Sequence, residues 1–173
     1  SAETAAAMAA LRDRIRSISL VHEKLHGTAS GSLLDLGDYV GDLARRLVSG
    51  LAGGQGPELA LELEHVQLPM DLCVDLGLVA SELIANAFRH GLEGGKGRLS
   101  VKLGREGDEL VLVVSDDGPG YPEGFTAESG NSLGFKIVRS LARKRGGVLA
   151  LRTEGGARAE LRLPMPRDGA SGA

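Results

Sequence analysis

Glu109-Leu110-Val111-Leu112-Val113-Val114-Ser115-Asp116-Asp117-Gly118-Pro119-Gly120 is the stretch on which the fold turns. Residues 109–115 are almost wholly apolar, as in a strand buried at the centre of a sheet. The run then breaks at once into Asp-x-Gly-x-Gly. An acidic acceptor therefore stands at the end of a central strand. Glycines, lacking Cβ, let the backbone there pass close to a ligand. Taken alone, the same residues also suit a simple tight turn, so the neighbouring segments decide.

Outward from this strand, Leu99, Val101 and Leu103 alternate with polar residues, and so do Leu59, Leu61 and Leu63; both read as half-buried strands. Residues 69–91 take the helical period, with Leu72, Leu76, Val79, Leu83 and Ala87 on one face. Downstream, residues 132–146 read as a helix capped by Ser132. The strands Val148–Thr153 and Ala157–Leu163 then join through Glu154-Gly155-Gly156 as a hairpin. Near the N-terminus, Met8, Leu11, Ile15, Ile18 and Leu25 predict a helix over 3–26 with a narrow, heptad-like stripe. A second helix over 35–51, with Asp35 as N-cap, buries Leu36, Val40, Leu43 and Leu47. The order α-α-β-α-β-β-α-β-β, with strands in neighbouring pairs, excludes a doubly wound parallel sheet. It predicts an α+β protein: a two-layer sandwich with helices on one face of a mixed sheet. The expected divisions are a helical segment over 1–52, a mixed domain over 57–165 and a disordered tail over 166–173.

Composition narrows the function. The 173 residues carry 26 glycines, about twice the average usage of roughly 7%, but 42% hydrophobic content excludes low-complexity disorder for most of the chain. A net charge of −3 and 3% aromatic residues argue against nucleic-acid binding. No window is apolar for long enough to span a membrane, and no signal peptide is evident. Cys73 stands alone, which fits a cytoplasmic setting.

Two further motifs accompany Asp116. Glu82, Asn86 and His90 recur every four residues on one helix face, beside its apolar stripe. A carboxylate, an amide and an imidazole in that position can take a proton, ligate a hard cation or contact an anion, although a solvated face offers the same residues. The second motif, Gly130-Asn131-Ser132-Leu133-Gly134-Phe135-Lys136, puts glycines ahead of a helix whose first N–H groups suit a phosphate. It is neither a Walker A loop nor a dinucleotide fingerprint. Residues 121–133 lack periodicity and can form a lid.

Together, Glu82-Leu-Ile-Ala-Asn86-Ala-Phe-Arg89-His90, Asp116-Asp-Gly118-Pro-Gly120 and Ser132-Leu-Gly134-Phe-Lys136-Ile-Val resemble the N, G1 and G2 boxes of the gyrase, heat-shock chaperone, histidine kinase and MutL ATPase superfamily. The resemblance spans roughly 58–163. Upstream, Arg14-Ile-Arg-Ser-Ile-Ser-Leu-Val-His22-Glu-Lys-Leu25 is similar to the second dimerisation helix of one group of sensor histidine kinases. The HWE group is related but less close, since Ser81 stands at its N-box His.

The resemblance implies a Bergerat-type ATP-binding fold and an ATP-dependent protein histidine kinase of a two-component system. Glu82 would be the base assisting the attacking histidine, and Asn86 would hold Mg²⁺. Arg89 and His90 would lie near the phosphates. Asp116 would accept from the adenine amine, with Gly118 and Gly120 making room. Ser132, Leu133 and Gly134 would bring backbone donors to the phosphates. The implied partners are ATP, a response regulator receiver domain and a second copy of the chain, paired through the N-terminal segment. Two departures stand out. His22 matches the family's second-helix histidine and not the phosphoacceptor, which would lie outside this chain. Ala157 replaces a hydroxyl residue common beside adenine. A serine kinase of the anti-sigma-factor type shares the three boxes and is the alternative; a partner-binding module that kept the fold would not need Glu82, Asn86 and Asp116. With so few rings in the chain, adenine is expected to meet aliphatic side chains and Asp116.

Overall fold

The structure, a computed structural model, describes residues 33–167 and isolated positions upstream; Ala2, Thr4, Ala5, Met8, Arg12, Ile15 and Ser19 among these are helical. The rest of the expected 3–26 helix, with His22, and residues 168–173 of the expected tail lie outside the described residues.

Strand β1 (Leu33–Asp35) leads directly into helix α1 (Leu36–Ala52). Asp35 is the N-cap, and its Oδ1 accepts from the Asp38 amide at 2.9 Å, satisfying one of the free donors of the first turn. Gly53 closes the helix in the left-handed conformation at φ 59°. Strand β2 (Glu58–Leu63), the short strand β3 (Gln67–Pro69) and helix α2 (Met70–Asn86) follow. Five residues of π-helix, Ala87–Gly91, continue α2. Then come β4 (Arg98–Glu106), β5 (Glu109–Asp116), α3 (Leu133–Lys144), β6 (Val148–Thr153) and β7 (Ala157–Pro164).

The main sheet has the order β2-β4-β5-β7-β6. Strand β2 pairs parallel to β4 and the other pairings are antiparallel, so the sheet is mixed, as expected. The apolar run of β5 lies at its centre. Leu99, Val101 and Leu103 of β4, Leu110, Leu112 and Val114 of β5, and Leu161 and Leu163 of β7 face one core with Leu72, Leu76, Val79 and Leu83 of α2 and Val138 of α3. Helix α1 joins the same core through Leu36, Val40, Leu43 and Leu47. Tyr39 of α1 occupies the space that a side chain at Gly77 of α2 would need, which sets how closely the two helices approach.

Two features escaped the sequence reading. Strands β1 and β3 form a two-stranded antiparallel sheet, Leu33 opposite Pro69 and Asp35 opposite Gln67. Asp35 Oδ2 also bonds His65 Nδ1 at 3.0 Å and accepts from Gln67 Nε2 at 3.1 Å. Helices α2 and α3 are joined by a charge clamp at the end remote from the three boxes. Asp75, 8% exposed, accepts from Arg145 Nε at 2.8 Å and meets Lys144 Nζ at 3.0 Å, while Arg145 also donates to Asp71 at 3.2 Å.

Among the described residues, no helix packs on the other face of the sheet. Val111 and Val113 of β5 are buried there all the same, with Arg162 and Glu160 of β7 opposite them in register. Arg162 donates to Glu160 at 2.7 Å, Glu106 at 2.6 Å and Glu109 at 3.1 Å, and Arg158 donates to Glu160 at 2.9 Å. The aliphatic stems of this lattice cover the valines.

Candidate functional site

A cavity of about 600 Å³ opens between α2, the end of β5, the 117–132 loop and the start of α3. That volume suits a small-molecule site. Its wall includes Asn86, Arg89, His90, Asp116, Gly120 and Ser132, six residues singled out from the sequence. One cavity therefore brings together residues from all three motifs.

Asp116 ends β5 and is 8% exposed. Its Oδ1 accepts from the Gly118 amide at 2.9 Å and from the Ala157 amide at 3.2 Å. Oδ2 is the oxygen left for a ligand. Three glycines close in around Asp116. A side chain at Gly91 would collide with its oxygens, one at Gly156 with its carbonyl, and one at Gly118 with the Gly91 backbone. The π-helical turn delivers Gly91 to this contact, and such turns recur at functional sites. Gly120, at φ 83°, packs against Thr153, whose Oγ1 accepts from the Tyr121 amide at 3.1 Å. Ala157 lacks a hydroxyl but contributes through its amide.

At the other end of the cavity, Ser132 caps α3; its Oγ accepts from the Phe135 amide at 3.2 Å. The helix start thus faces the cavity rim with its positive dipole end. Asn86 Nδ2 is buried with no hydrogen-bond partner among the described residues. A buried amide in that state is costly unless a ligand or water engages it, so the site fits a polar guest. Arg89 and His90 are exposed at the rim.

Four of the sequence candidates are not part of the cavity wall. Glu82 is 3% exposed, and its carboxylate occupies the space a side chain at Gly134 would need. Gly134 therefore acts as the seat of that carboxylate. Gly118 supports Asp116 from behind, and the Leu133 side chain is 57% exposed.

The sequence reading missed the rings. Tyr121, Phe125 and Phe135 all line the cavity, beside the aliphatic side chains and Asp116 expected to meet adenine. Tyr121 stacks on Phe125 with centroids 5.5 Å apart, and Phe125 meets Phe135 edge-on at 5.6 Å. Burial, aided by the Asp116 charge, pushes the Tyr121 phenol up to about 12. No spacing in the sequence marks these rings, which share no helical or strand period.

Away from the cavity, ligand atoms of Asp35, Asp38 and His65 lie within 4.8 Å of one another. The hydrogen bonds of the α1 cap explain that grouping without an ion. No helix among the described residues is long and apolar enough to cross a membrane.

Comparison with known proteins agrees with this geometry. Residues 73–167, more than half of the chain, match the histidine kinase-, DNA gyrase B-, and HSP90-like ATPase family, and residues 1–51 match a histidine kinase family. A sensor histidine kinase, PdtaS of Mycobacterium tuberculosis, is 32% identical over 165 residues, covering 90% of this chain and 32% of the relative. Blue-light-activated histidine kinase 2 of Erythrobacter litoralis is 25% identical over 162 residues, covering 90% of this chain and 46% of the relative. The chain thus spans less than half the length of either relative. Among solved structures, the histidine kinase domain of Erythrobacter litoralis EL346 aligns with a TM-score of 0.79 at 25% identity, over 90% of this chain and 75% of that one.

Proposed function

The chain belongs to the histidine kinase-, DNA gyrase B-, and HSP90-like ATPase family, and from that premise we propose that it is the ATP-binding catalytic part of a sensor histidine kinase in a two-component system. The supporting observation is the polarity of the cavity: a held carboxylate, Asp116, at one end, and the α3 N-terminus with the unpartnered Asn86 amide at the other. A nucleoside triphosphate has the matching order, an amine donor at one end and phosphates at the other.

In this reading Asp116 Oδ2 accepts from the exocyclic amine of adenine, while the backbone at Gly118 and Gly120 leaves the ring room. Ser132, Leu133 and Gly134 present backbone N–H groups to the phosphates. Asn86 would hold Mg²⁺ through its side-chain oxygen; Arg89 adds positive charge at the rim, with His90 beside it. The metal, when bound, neutralises charge on the β- and γ-phosphates. Phosphoryl transfer asks the protein mainly for position and charge neutralisation. The attacking imidazole nitrogen, on a helix outside the described residues, forms a bond to the γ-phosphorus as the bond to the β-γ bridging oxygen breaks and ADP leaves. Glu82 assists by taking the imidazole proton. Its carboxylate is held against Gly134, at the phosphate end of the site. A response regulator aspartate then receives the phosphoryl group, and the N-terminal segment pairs two copies.

The test is transfer from radiolabelled ATP to a supplied histidine-bearing helical hairpin. An acid-labile, base-stable product is expected. An acid-stable product would replace this reading with the serine kinase of the anti-sigma-factor type.

A further inference from the structure

The loop between the second and third motifs is built, although it has neither helix nor strand. At its start the Tyr121 amide is tied to Thr153. Phe125 N–H donates to Pro122 O at 3.0 Å, and Thr126 and Ser129 bond each other through side chain and backbone, Thr126 N–H to Ser129 Oγ at 2.8 Å and Ser129 N–H to Thr126 O at 3.1 Å. At its end the loop meets α3. Arg139 Nη1 donates to two loop carbonyls, Ala127 O at 2.9 Å and Gly130 O at 2.5 Å. Arg143, one turn on, pairs with Glu128 at 3.3 Å, but both are well exposed and that pair contributes little. Arg139 is half-buried and lies outside the cavity wall. Phe135, on the same helix, carries the edge-on contact to Phe125, and Gly130 has room only for hydrogen against the Phe135 ring.

These contacts hold the loop on α3, where Tyr121, Phe125 and Gly130 form part of the wall of the 600 Å³ cavity. We infer that Arg139 is a positioning residue: its guanidinium clasps the loop to α3 and pre-forms the nucleotide cavity before any ligand arrives. The inference rests on the nucleotide reading for its ligand, but the clasp itself is a property of the ligand-free chain. A loop that is already ordered loses less conformational entropy on binding. Removing the clasp transfers that loss to the binding step, so affinity falls while the transfer chemistry, carried by other groups, keeps its rate. Both bonds leave the single Nη1 nitrogen, whose two N–H groups reach the two carbonyls from a planar guanidinium that is more weakly hydrated than an ammonium.

The experiment compares the whole chain with Arg139→Ala and Arg139→Lys. In the ligand-free proteins, hydrogen exchange at the Phe125 and Ser129 amides is measured; in the presence of Mg²⁺, ATP affinity and kcat are measured. Arg139→Ala is expected to speed loop exchange and raise the ATP Kd and KM about tenfold with kcat nearly unchanged, equivalent to roughly 1.4 kcal/mol of binding. Arg139→Lys should fall between the two. Unchanged exchange and unchanged Kd in a folded Arg139→Ala protein would overturn the inference. So would a fall in kcat at constant KM, which would place Arg139 in the chemistry. Should Arg139→Ala fail to fold, Arg139→Lys decides by the same measurements. If the wild-type chain binds no ATP, the nucleotide reading falls together with the affinity claim, and exchange alone still judges the clasp.

Discussion

Replacing Asp116 by asparagine separates the carboxylate's two duties. Oδ1 accepts from Gly118 and Ala157, and Oδ2 is the acceptor left for a ligand. Asparagine has one acceptor and one donor. If its oxygen keeps the two backbone bonds, its NH₂ faces the adenine amine, donor against donor. If it turns round, the NH₂ confronts two backbone N–H groups and the fold suffers. Since Asp116 is 8% exposed, water cannot easily relieve either arrangement. The first arrangement is the expected one, because it keeps two internal bonds at the expense of one external bond. Losing one charge-assisted hydrogen bond and gaining an unfavourable contact should cost about 2–4 kcal/mol of binding. That corresponds to a 30- to 1000-fold weaker ATP Kd, roughly. Calorimetric titration with Mg-ATP measures it, and a thermal melt run alongside should show the midpoint almost unchanged. Asp116→Ala, by contrast, orphans two amides and should lower both affinity and melting temperature. Unaltered ATP affinity in Asp116→Asn would refute the assignment of this cavity to adenine. A loss of affinity matched by a loss of fold would refute the separation of duties.

Gly118→Ala should destabilise the chain by about 1–3 kcal/mol in a denaturant titration, since its methyl group would meet the Gly91 backbone, which cannot step aside. Arg145→Ala leaves Asp75 with Lys144 alone and should loosen α3 from α2, costing roughly 1–3 kcal/mol in the same assay. Hydrogen bonding from Arg162 holds the Glu160 carboxyl below its ordinary 4.5, with Arg158 adding to it and burial opposing it. The folded value is the lower one, so this stabilisation is present above pH 4.5 and is lost as pH falls through the folded value; Glu160→Gln should flatten that part of the stability-pH curve. The Tyr121 phenol, pushed up to about 12 by burial and Asp116, should show no phenolate absorbance at about pH 10, where a free tyrosine is half ionised. Tyr39, the other tyrosine, is fully buried and its phenol is raised by that burial, so native phenolate at this pH would place Tyr121 in water.

Much of this architecture could be read from residues 58–163. The apolar run before Asp116 became the central strand because burial on both faces leaves no polar position for periodicity to mark. Asp35 and Ser132 were found as caps because the side chain that satisfies a helix start adjoins it in sequence. The residues that escaped depend on distant partners. Strands β1 and β3 are three residues each, too short to show alternation, and they exist only because Leu33 meets Pro69 across the chain. The π-helical turn keeps the helical spacing of Ala87–Gly91 in sequence yet brings Gly91 to Asp116. Tyr121, Phe125 and Phe135 share no period, and converge only when the loop folds onto α3. Glu82, expected beside the apolar stripe of its helix, is buried, but nothing local tells that Gly134 is its neighbour.

The lattice over Val111 and Val113 has a consequence for how this unit lives among neighbours. An uncovered sheet face rich in valine invites another apolar surface to settle on it. Here the roof is made of charges already committed to one another, Arg158 and Arg162 with Glu106, Glu109 and Glu160. A visiting surface would have to strip water from those charges and would gain no unpaired partner for them. Over Val111 and Val113 the sheet therefore offers no unpaired charge, and the exposed apolar residue on this face is Val148, in register with Arg162.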